Sequence, residues 1–458
     1  MPSVKKHSGK QIESEKMKSI IKEVLKHEVF PALGCTEPIA VAYAASLAAR
    51  ELRSDFEEIH IAVDPGVFKN GIAITVPMTN GEKGNLIAGV LGALIKKPEL
   101  KMEILSGAAP GMIKRAKGYI NSGKATIEYL RDKKDLYIEV VLKKGENSAK
   151  AVLENSHTNL ARLEKNGNIL KSERGRSGKP RLKYKVILKK MSVAEMIDEL
   201  KKLDAEDYRY LKSGIELNMR ASEEGKRIRH IGFFLSDLVK SGYLYDDIFS
   251  TSKILAASAS DARMSGLTVP VMTSGCSGNQ GILAILVPYH VGKRLWISEK
   301  KILQSIALSH LINSYIKCFT GDLSPLCGCA IAAGIGATVA IVYQQKGKDI
   351  KKINLAVNNL VGDLGGMLCD GAKGSCALKV ASAAESAIRS AYMAIHNYGI
   401  TDQEGFVGAT AEETIKHLAA ICDIGMSKVN DTMLEIMMGK RNLNRTRARS
   451  LPSKPMMN

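Results

Sequence analysis

The chain has 458 residues, 45% hydrophobic and 25% charged, the make-up of a globular protein long enough for two or three domains. Its formal charge of +19 is concentrated: residues 165–190 carry a net +9, residues 440–458 a net +6, and Lys5, Lys6 and Lys10 most of the remainder. With no interleaved aromatics and no recognisable nucleic-acid motif, these read as solvated basic segments. A basic nucleic-acid-binding protein without catalysis is the weakest reading.

The chain opens with a polar arm running into an amphipathic helix, with no apolar signal core, so a cytoplasmic protein is expected. Helical periodicity predicts helices over 12–28, 37–53, 84–97 and 107–122. Alternating patterns predict strands in "EEIHIAV", "GIAITVP", "KATIEYL", "LYIEVVL", "SAKAVLE" and "LKYKVIL". "DPGVFKNG", around Lys69 and Asn70, reads as a polar turn that either lines a site or merely closes a hairpin. Residues 165–190 read as one Gly/Ser/Pro-containing basic loop. From Met191 onward the pattern is almost wholly helical. The expected fold class is α+β: an α/β domain over 1–190, an all-α domain over 191–439 and a basic flexible tail over 440–458.

Two uncharged runs could be mistaken for membrane spans. The one from Met264 to His290 holds Pro270, Pro288, Asn279 and Gln280, which lipid would leave unsatisfied. The other, "LSPLCGCAIAAGIGATVAIVYQQ" from Leu323, reads as a buried helix. No membrane partner is expected.

Eight cysteines occur, without the paired C-x-x-C spacing of a zinc ribbon. A disulfide framework is not expected in a cytoplasmic chain of this length. Cys318 and Cys422 sit in ordinary helical patterns as small apolar residues. Cys327 and Cys329 follow a Ser-Pro pair at the start of an apolar helix, and Cys376 opens another; Cys369 lies in the turn before it. Helix N-termini favour thiolates and tolerate the net negative charge of an iron–sulfur cluster, and nearby glycines let backbone approach one. Unrelated core cysteines would fit the spacing as well. Cys35, just before Thr36 and Pro38, has the same helix-start setting. Its thiol is expected to be acidified there, as a base, a fourth ligand or an inert residue.

Five segments together, "PALGCTEPIAVA", "SHTNL", "SGCSGNQGILA", "LCGCAIAAGIGA" and "LCDGAKGSCALKV", resemble the L-cysteine desulfidase family, which is related to the alpha chain of iron–sulfur L-serine dehydratases. The resemblance runs in order from about residue 20 to 435. It implies a 4Fe-4S cluster held by Cys329, Cys369 and Cys376, with Cys327 the alternative first ligand, and one iron open to substrate. It implies Cys35 as the catalytic base. Ser156, His157 and Thr158, with Ser277, Asn279 and Gln280, would hold the substrate carboxylate. The implied reaction is β-elimination of L-cysteine through 2-aminoacrylate to pyruvate, ammonia and sulfide; an L-serine dehydratase is the alternative. The partners would be a small amino acid and, at most, further copies of the chain. Pyridoxal phosphate is not expected, because no Gly-rich loop has a convincing Schiff-base lysine. One departure stands out: Cys276 occupies a point of the "SGNQG" loop where the resemblance leads one to expect Gly or Ser.

Overall fold

A computed structural model describes residues 19–133, 135–172, 180–321 and 323–450. The segment 12–18 of the first expected helix, Lys5, Lys6, Lys10, residues 173–179 of the basic stretch and the last eight residues lie outside that description.

The chain starts with α1 (Ile20–Glu28), capped by the Ser19 hydroxyl, and a two-residue strand β1 (Pro31–Ala32). Helix α2 (Thr36–Leu52) follows, alanine-rich and buried on nearly every side. Next come β2 (Glu58–Val63), the short helix α3 (Pro65–Gly71), α4 (Asn85–Ile95), a 3-10 segment over Pro98–Gly107 and α5 (Pro110–Asn121). Strands β3 (Ala125–Tyr129), β4 (Tyr137–Lys144), β5 (Asn147–Glu154), β6 (Leu160–Lys165) and β7 (Asn168–Ser172) complete a six-stranded sheet. Its order is β3-β2-β4-β5-β6-β7, parallel only between β2 and β3. Strand β4 buries Ile138, Val140 and Leu142 at period two, and α2 and α4 cover that face.

The rest is helical: α6 (Pro180–Leu188), α7 (Val193–Glu199), α8 (Ala205–Lys226), α9 (Ile231–Lys240) and α10 (Ile248–Met264). After the two-residue strand β8 (Val271–Met272) come α11 (Gly278–Arg294), α12 (Glu299–Thr320), α13 (Ala332–Lys346), α14 (Ile350–Leu364), α15 (Cys376–Ile395), α16 (Ala411–Ala420) and α17 (Val429–Ser450). The sheet is thus confined to the N-terminal part and the C-terminal part is helical, as the α+β expectation had it. Helix α13 is buried on almost all faces. Among the described residues no helix is long and apolar enough to cross a membrane.

Four local expectations are corrected. "LKYKVIL" is helical, because Pro180 starts a helix and Tyr184 and Leu188, four apart, are fully buried while Val186 and Ile187 face solvent. The stretch 165–190 is therefore not one loop, since it contains the end of β6, all of β7 and α6. "GIAITVP" forms no strand: its one bridge joins Thr75 to Lys83, and the Thr79 hydroxyl donates to the Val76 carbonyl (2.6 Å) to close a turn. In the expected C-terminal tail, helix α17 continues through residues 440–450.

The two cores exchange segments. Helices α1 and α6 pack into the helical core, and the Tyr184 hydroxyl donates to the buried Glu28 carboxylate (2.5 Å). In return Leu434, Met437 and Met438 of α17 pack against the sheet-side core. The small ribbon β1–β8 links the halves in register Pro31–Met272 and Ala32–Val271. It sets the turn before α2 beside the turn before α11.

Candidate active site

The cysteine segments meet through backbone. A single antiparallel bridge joins Leu326 to Leu368, flanked by Cys327 N–H to the Met367 carbonyl (2.8 Å) and Cys369 N–H to the Pro325 carbonyl (2.7 Å). The Cys-Gly-Cys turn is thereby locked against the Cys-Asp-Gly turn. Gly371 then turns the chain toward α15 at φ +92°, with its Cα so close to the Lys69 carbonyl that a Cβ would lie 2.4 Å from that oxygen. Cys376 follows in the first turn of α15, its thiol 3.7 Å from the Gly371 carbonyl.

The four thiols share one electrostatic environment. A hydrogen bond from Cys329 draws the Cys327 thiol down to about 6, helped by the Ala330 N–H and the Lys379 charge. The same bond and burial push Cys329 well up, and burial raises Cys369 and Cys376. Two cations are committed here. Lys69 is 1% exposed and donates to the Cys369 carbonyl (2.8 Å) and Asn430 Oδ1 (2.6 Å), both neutral acceptors. Lys379 donates to the Leu368 carbonyl (2.6 Å) and Asp370 (2.8 Å).

The donor chemistry fits an iron–sulfur cluster. Thiolates are its usual ligands, and a buried ammonium bonded only to neutral oxygens suits a site for an anionic group. Among the described residues no three His, Cys, Asp or Glu side chains converge on a point where one ion could be held.

Cys329 and Cys369 open onto a cavity of about 70 Å³ between the two cores. A second part of its wall is the start of α2, with Thr36 and Glu37, joined by Asn70 and His157. Ser277, Gln280, Cys276 and Lys317 close the side. Cys35 is not among the lining residues; it forms a small buried cluster with Ile74 and Met264, against which Cys376 and Ala372 pack. It makes no capping bond; its thiol donates to Glu37 Oε2 (2.8 Å) instead. The expected acidification of Cys35 is not found. Burial and the Glu37 charge push the thiol well above its ordinary value, outweighing the helix N-terminus.

Glu37 behaves in the opposite way. Burial alone would raise it, but the field of His157 and hydrogen bonds from Cys35 and Asn70 Nδ2 (to Oε1, 2.9 Å) hold the carboxyl below its usual range. The result is an ionised carboxylate 6% exposed. Acidic residues are common in first helical turns for reasons of the helix dipole, so nothing in the sequence marked this one as a site residue. Asn70, left open as turn or lining, is part of α3 and lines the cavity.

The six expected carboxylate ligands divide. His157, Ser277 and Gln280 line the cavity; Ser156 is buried beside His157 but does not line it. Thr158 instead borders a separate depression with Lys26, His27 and Phe30. Asn279 turns inward, accepting from Ser260 (3.3 Å) and facing Met264 Sδ (3.8 Å). Gln280 is oriented from below: its Oε1 accepts from Asn313 (3.0 Å), so its amide nitrogen points at Gly328 of the Cys-Gly-Cys turn. Cys276 has φ +62°, a left-handed backbone that Gly takes more readily, which explains physically why Gly was the expected residue. Cys318 bonds back to the Ser314 carbonyl (3.3 Å) as an ordinary helical residue. Cys422 lies in a π-turn over Ile421–Gly425, against Leu326 and Ser324 of the cysteine-bearing segment.

A family profile described as serine dehydratase alpha chain matches residues 78–435. The chain is 58% identical to the UPF0597 protein of Geobacter sulfurreducens over 93% of its own length and 99% of that protein's. It is 51% identical to the UPF0597 protein of Elusimicrobium minutum (92% and 99%) and 36% identical to that of Clostridium tetani (92% and 98%). These relatives' names state no activity.

Proposed function

Because the chain belongs to the serine dehydratase alpha chain family, a lyase family that is generally iron–sulfur dependent, we propose that it is an iron–sulfur L-cysteine desulfidase. It would convert L-cysteine and water to pyruvate, ammonia and sulfide. The observation that carries this reading is the meeting of two walls in one small cavity. Cys329 and Cys369 line it together with Glu37, and Cys35 is hydrogen-bonded to Glu37 from outside the lining.

Cys329, Cys369 and Cys376 would hold a 4Fe-4S cluster, and Lys69 and Lys379 would offset its charge. When bound, the cluster supplies Lewis acidity at an open iron, which makes the β-substituent a better leaving group. Cys35 Sγ removes the α-proton after its own proton has left to water, and the hydrogen bond to Glu37 Oε2 fixes where the sulfur stands. Desolvation makes the resulting thiolate a strong base. His157, Ser277 and Gln280 orient the substrate. Loss of the α-proton and the β-sulfide leaves 2-aminoacrylate, which tautomerises and hydrolyses without further help. Pyridoxal phosphate has no part in this scheme. The reading is of a cytoplasmic enzyme, where a reducing environment would keep the ligating thiols available to iron.

The second reading, an L-serine dehydratase, is favoured by the family's description. The test is anaerobic reconstitution followed by assay with both substrates. A brown protein with about three to four irons per chain that releases sulfide from L-cysteine faster than ammonia from L-serine supports the desulfidase. The reverse order supports the dehydratase, and a colourless protein after reconstitution rejects both.

A further inference from the structure

The amide of Gln280 has two unlike ends, and only one of them is turned to the cavity. Gln280 is 5% exposed and lines the cavity from the first turn of α11. Its Oε1 turns away and accepts from Asn313 Nδ2 (3.0 Å). Its Nε2 lies against the Cys-Gly-Cys turn, 2.6 Å from where a Cβ on Gly328 would be. That nitrogen has no hydrogen-bond partner among the described residues.

Asn313 decides which end faces outward. On α12, His310, Asn313, Ser314 and Lys317 follow one another at helical spacing and are all buried, a polar stripe leading to the cavity. Both hydrogens of Asn313 Nδ2 are used: one goes to Gln280 Oε1, the other to Ser274 Oγ (2.9 Å). His310 Nδ1 holds the same hydroxyl at 2.9 Å. Gly275, at φ +53°, packs over the pair so closely that a Cβ would lie 3.0 Å from Asn313 Nδ2 and 3.2 Å from Gln280 Oε1. Asn313 Oδ1 is buried without a partner among the described residues. Turning Asn313 over would bury two unpartnered N–H groups in its place, the costlier state. The orientation is thus set inside the helical core and passed outward to Gln280.

We propose that Asn313 is a positioning residue that holds the Gln280 N–H groups outward, making this part of the cavity a receptor for the α-carboxylate and not for the α-ammonium. The inference deepens the proposed function and rests on reading the cavity as an amino-acid site. Gln alone could serve either end of an amino acid, because its oxygen accepts from an ammonium as readily as its nitrogen donates to a carboxylate. With Asn313 beneath it, only the second is on offer. Gly328 gains a reason as well, since a side chain between the two cysteines would take the place of that nitrogen.

The test reads a ratio and needs no turnover. L-Alanine carries the carboxylate and no leaving group; L-alaninamide carries a neutral amide in the carboxylate's place. Both are titrated calorimetrically into the anaerobically reconstituted protein. Wild type should prefer L-alanine. Asn313→Asp puts acceptors where Nδ2 stood, and Lys317, one turn further along α12, favours the ionised form. Gln280 then turns its nitrogen inward and its oxygen to the cavity. The ratio should fall roughly 10-fold or more, the worth of a hydrogen bond to a charged group. In a Gln280→Ala background the same change should move the ratio by less than about twofold. A purely structural role for Asn313 would weaken both ligands alike and leave the ratio as it was. If melting curves show that Asn313→Asp does not fold, Asn313→Ala takes its place; it frees the Gln280 amide to turn and should lower the ratio by a smaller factor. An unchanged ratio in the Asn313 variant, a full further fall in the Gln280→Ala background, or a wild type that does not discriminate between the ligands overturns the proposal. The expected ratios in a protein that releases neither sulfide nor ammonia from any amino acid would reject the proposed reaction and keep the role of Asn313.

Discussion

The two walls of the cavity are built by different means. The cysteine wall is assembled by main chain, with one β-bridge, two flanking hydrogen bonds and a left-handed glycine fixing Cys327, Cys329, Cys369 and Cys376 within a short span of sequence. The acid–thiol wall is assembled by side chains from distant places: Glu37 from α2, Asn70 from α3, His157 from the turn between β5 and β6. Backbone pairing tolerates substitution around it, whereas a side-chain network is only as good as each member. The first wall should therefore fail only where a ligating thiol itself is lost, and the second wherever any one member is removed.

The largest effect is expected at the thiols. Cys369→Ala or Cys376→Ala should abolish the intact cluster, measured as iron per chain and visible absorbance, whereas Cys318→Ala should leave both unchanged. Comparing Cys327→Ala with Cys329→Ala decides which member of the pair binds iron; loss only with Cys327→Ala would reject the assignment of Cys329, the thiol that faces the cavity.

Next comes Cys35→Ser, which should keep iron and spectrum while turnover falls roughly 10²- to 10⁴-fold. Solvent exchange of the substrate α-proton should slow in parallel. Unimpaired exchange would remove Cys35 as the base.

A smaller loss is expected at the turn itself. Gly371→Ala must accommodate a Cβ against the Lys69 carbonyl at φ +92°, a strain of about 1–3 kcal/mol. Urea unfolding of the cluster-free protein measures it. A value near zero would mean that the turn relaxes easily and that the cysteine wall is less rigid than its bonding indicates.

The smallest effect contrasts the two cores by pH. Asp64, the N-cap of α3, is raised to about 6 by burial, and His310, under the "SGNQG" loop in the helical core, is lowered to about 3 by burial. Between pH 4 and 6 the folded Asp64 holds a proton that the unfolded chain has released, so its contribution to stability falls as pH rises. His310 is neutral when folded and protonated when unfolded over the same range, so its contribution grows as pH rises. Relative to wild type, Asp64→Asn should therefore gain stability on going from pH 4 to 6 and His310→Gln should lose it. Equal slopes in the two variants would contradict the opposite burial of these groups.

What could be read from sequence follows the same division. The helices of the N-terminal half, four of its strands and the buried character of the 332–346 helix followed from periodicity, which local packing preserved. "LKYKVIL" deceived because its alternation and its helical spacing coincide over seven residues, and only the long-range contact of Tyr184 with Glu28 decides between them. The thiols stood out because their segments are contiguous motifs. Glu37 and Asn70 did not, since each is an ordinary residue of its helix until the fold brings it to the cavity. Thr158 and Asn279 were misdirected by adjacency: neighbours of site residues in sequence, they point elsewhere because successive residues of a turn or helix face different ways.

The bond from Lys69 to Asn430 bears on how the protein is made. Lys69 supports the Cys369 carbonyl from the N-terminal half, and its second acceptor sits in α17, 361 residues later. During synthesis the sheet-side half emerges early and can form its own contacts, but this lysine has no second acceptor until α17 has left the ribosome and docked. The four thiols, made only in the last third of the described chain, thus stay without this support until α17 follows them. Under the proposed function, the cluster would enter a finished site only once α17 has docked, so supply of the cofactor and completion of the fold would meet at one late step.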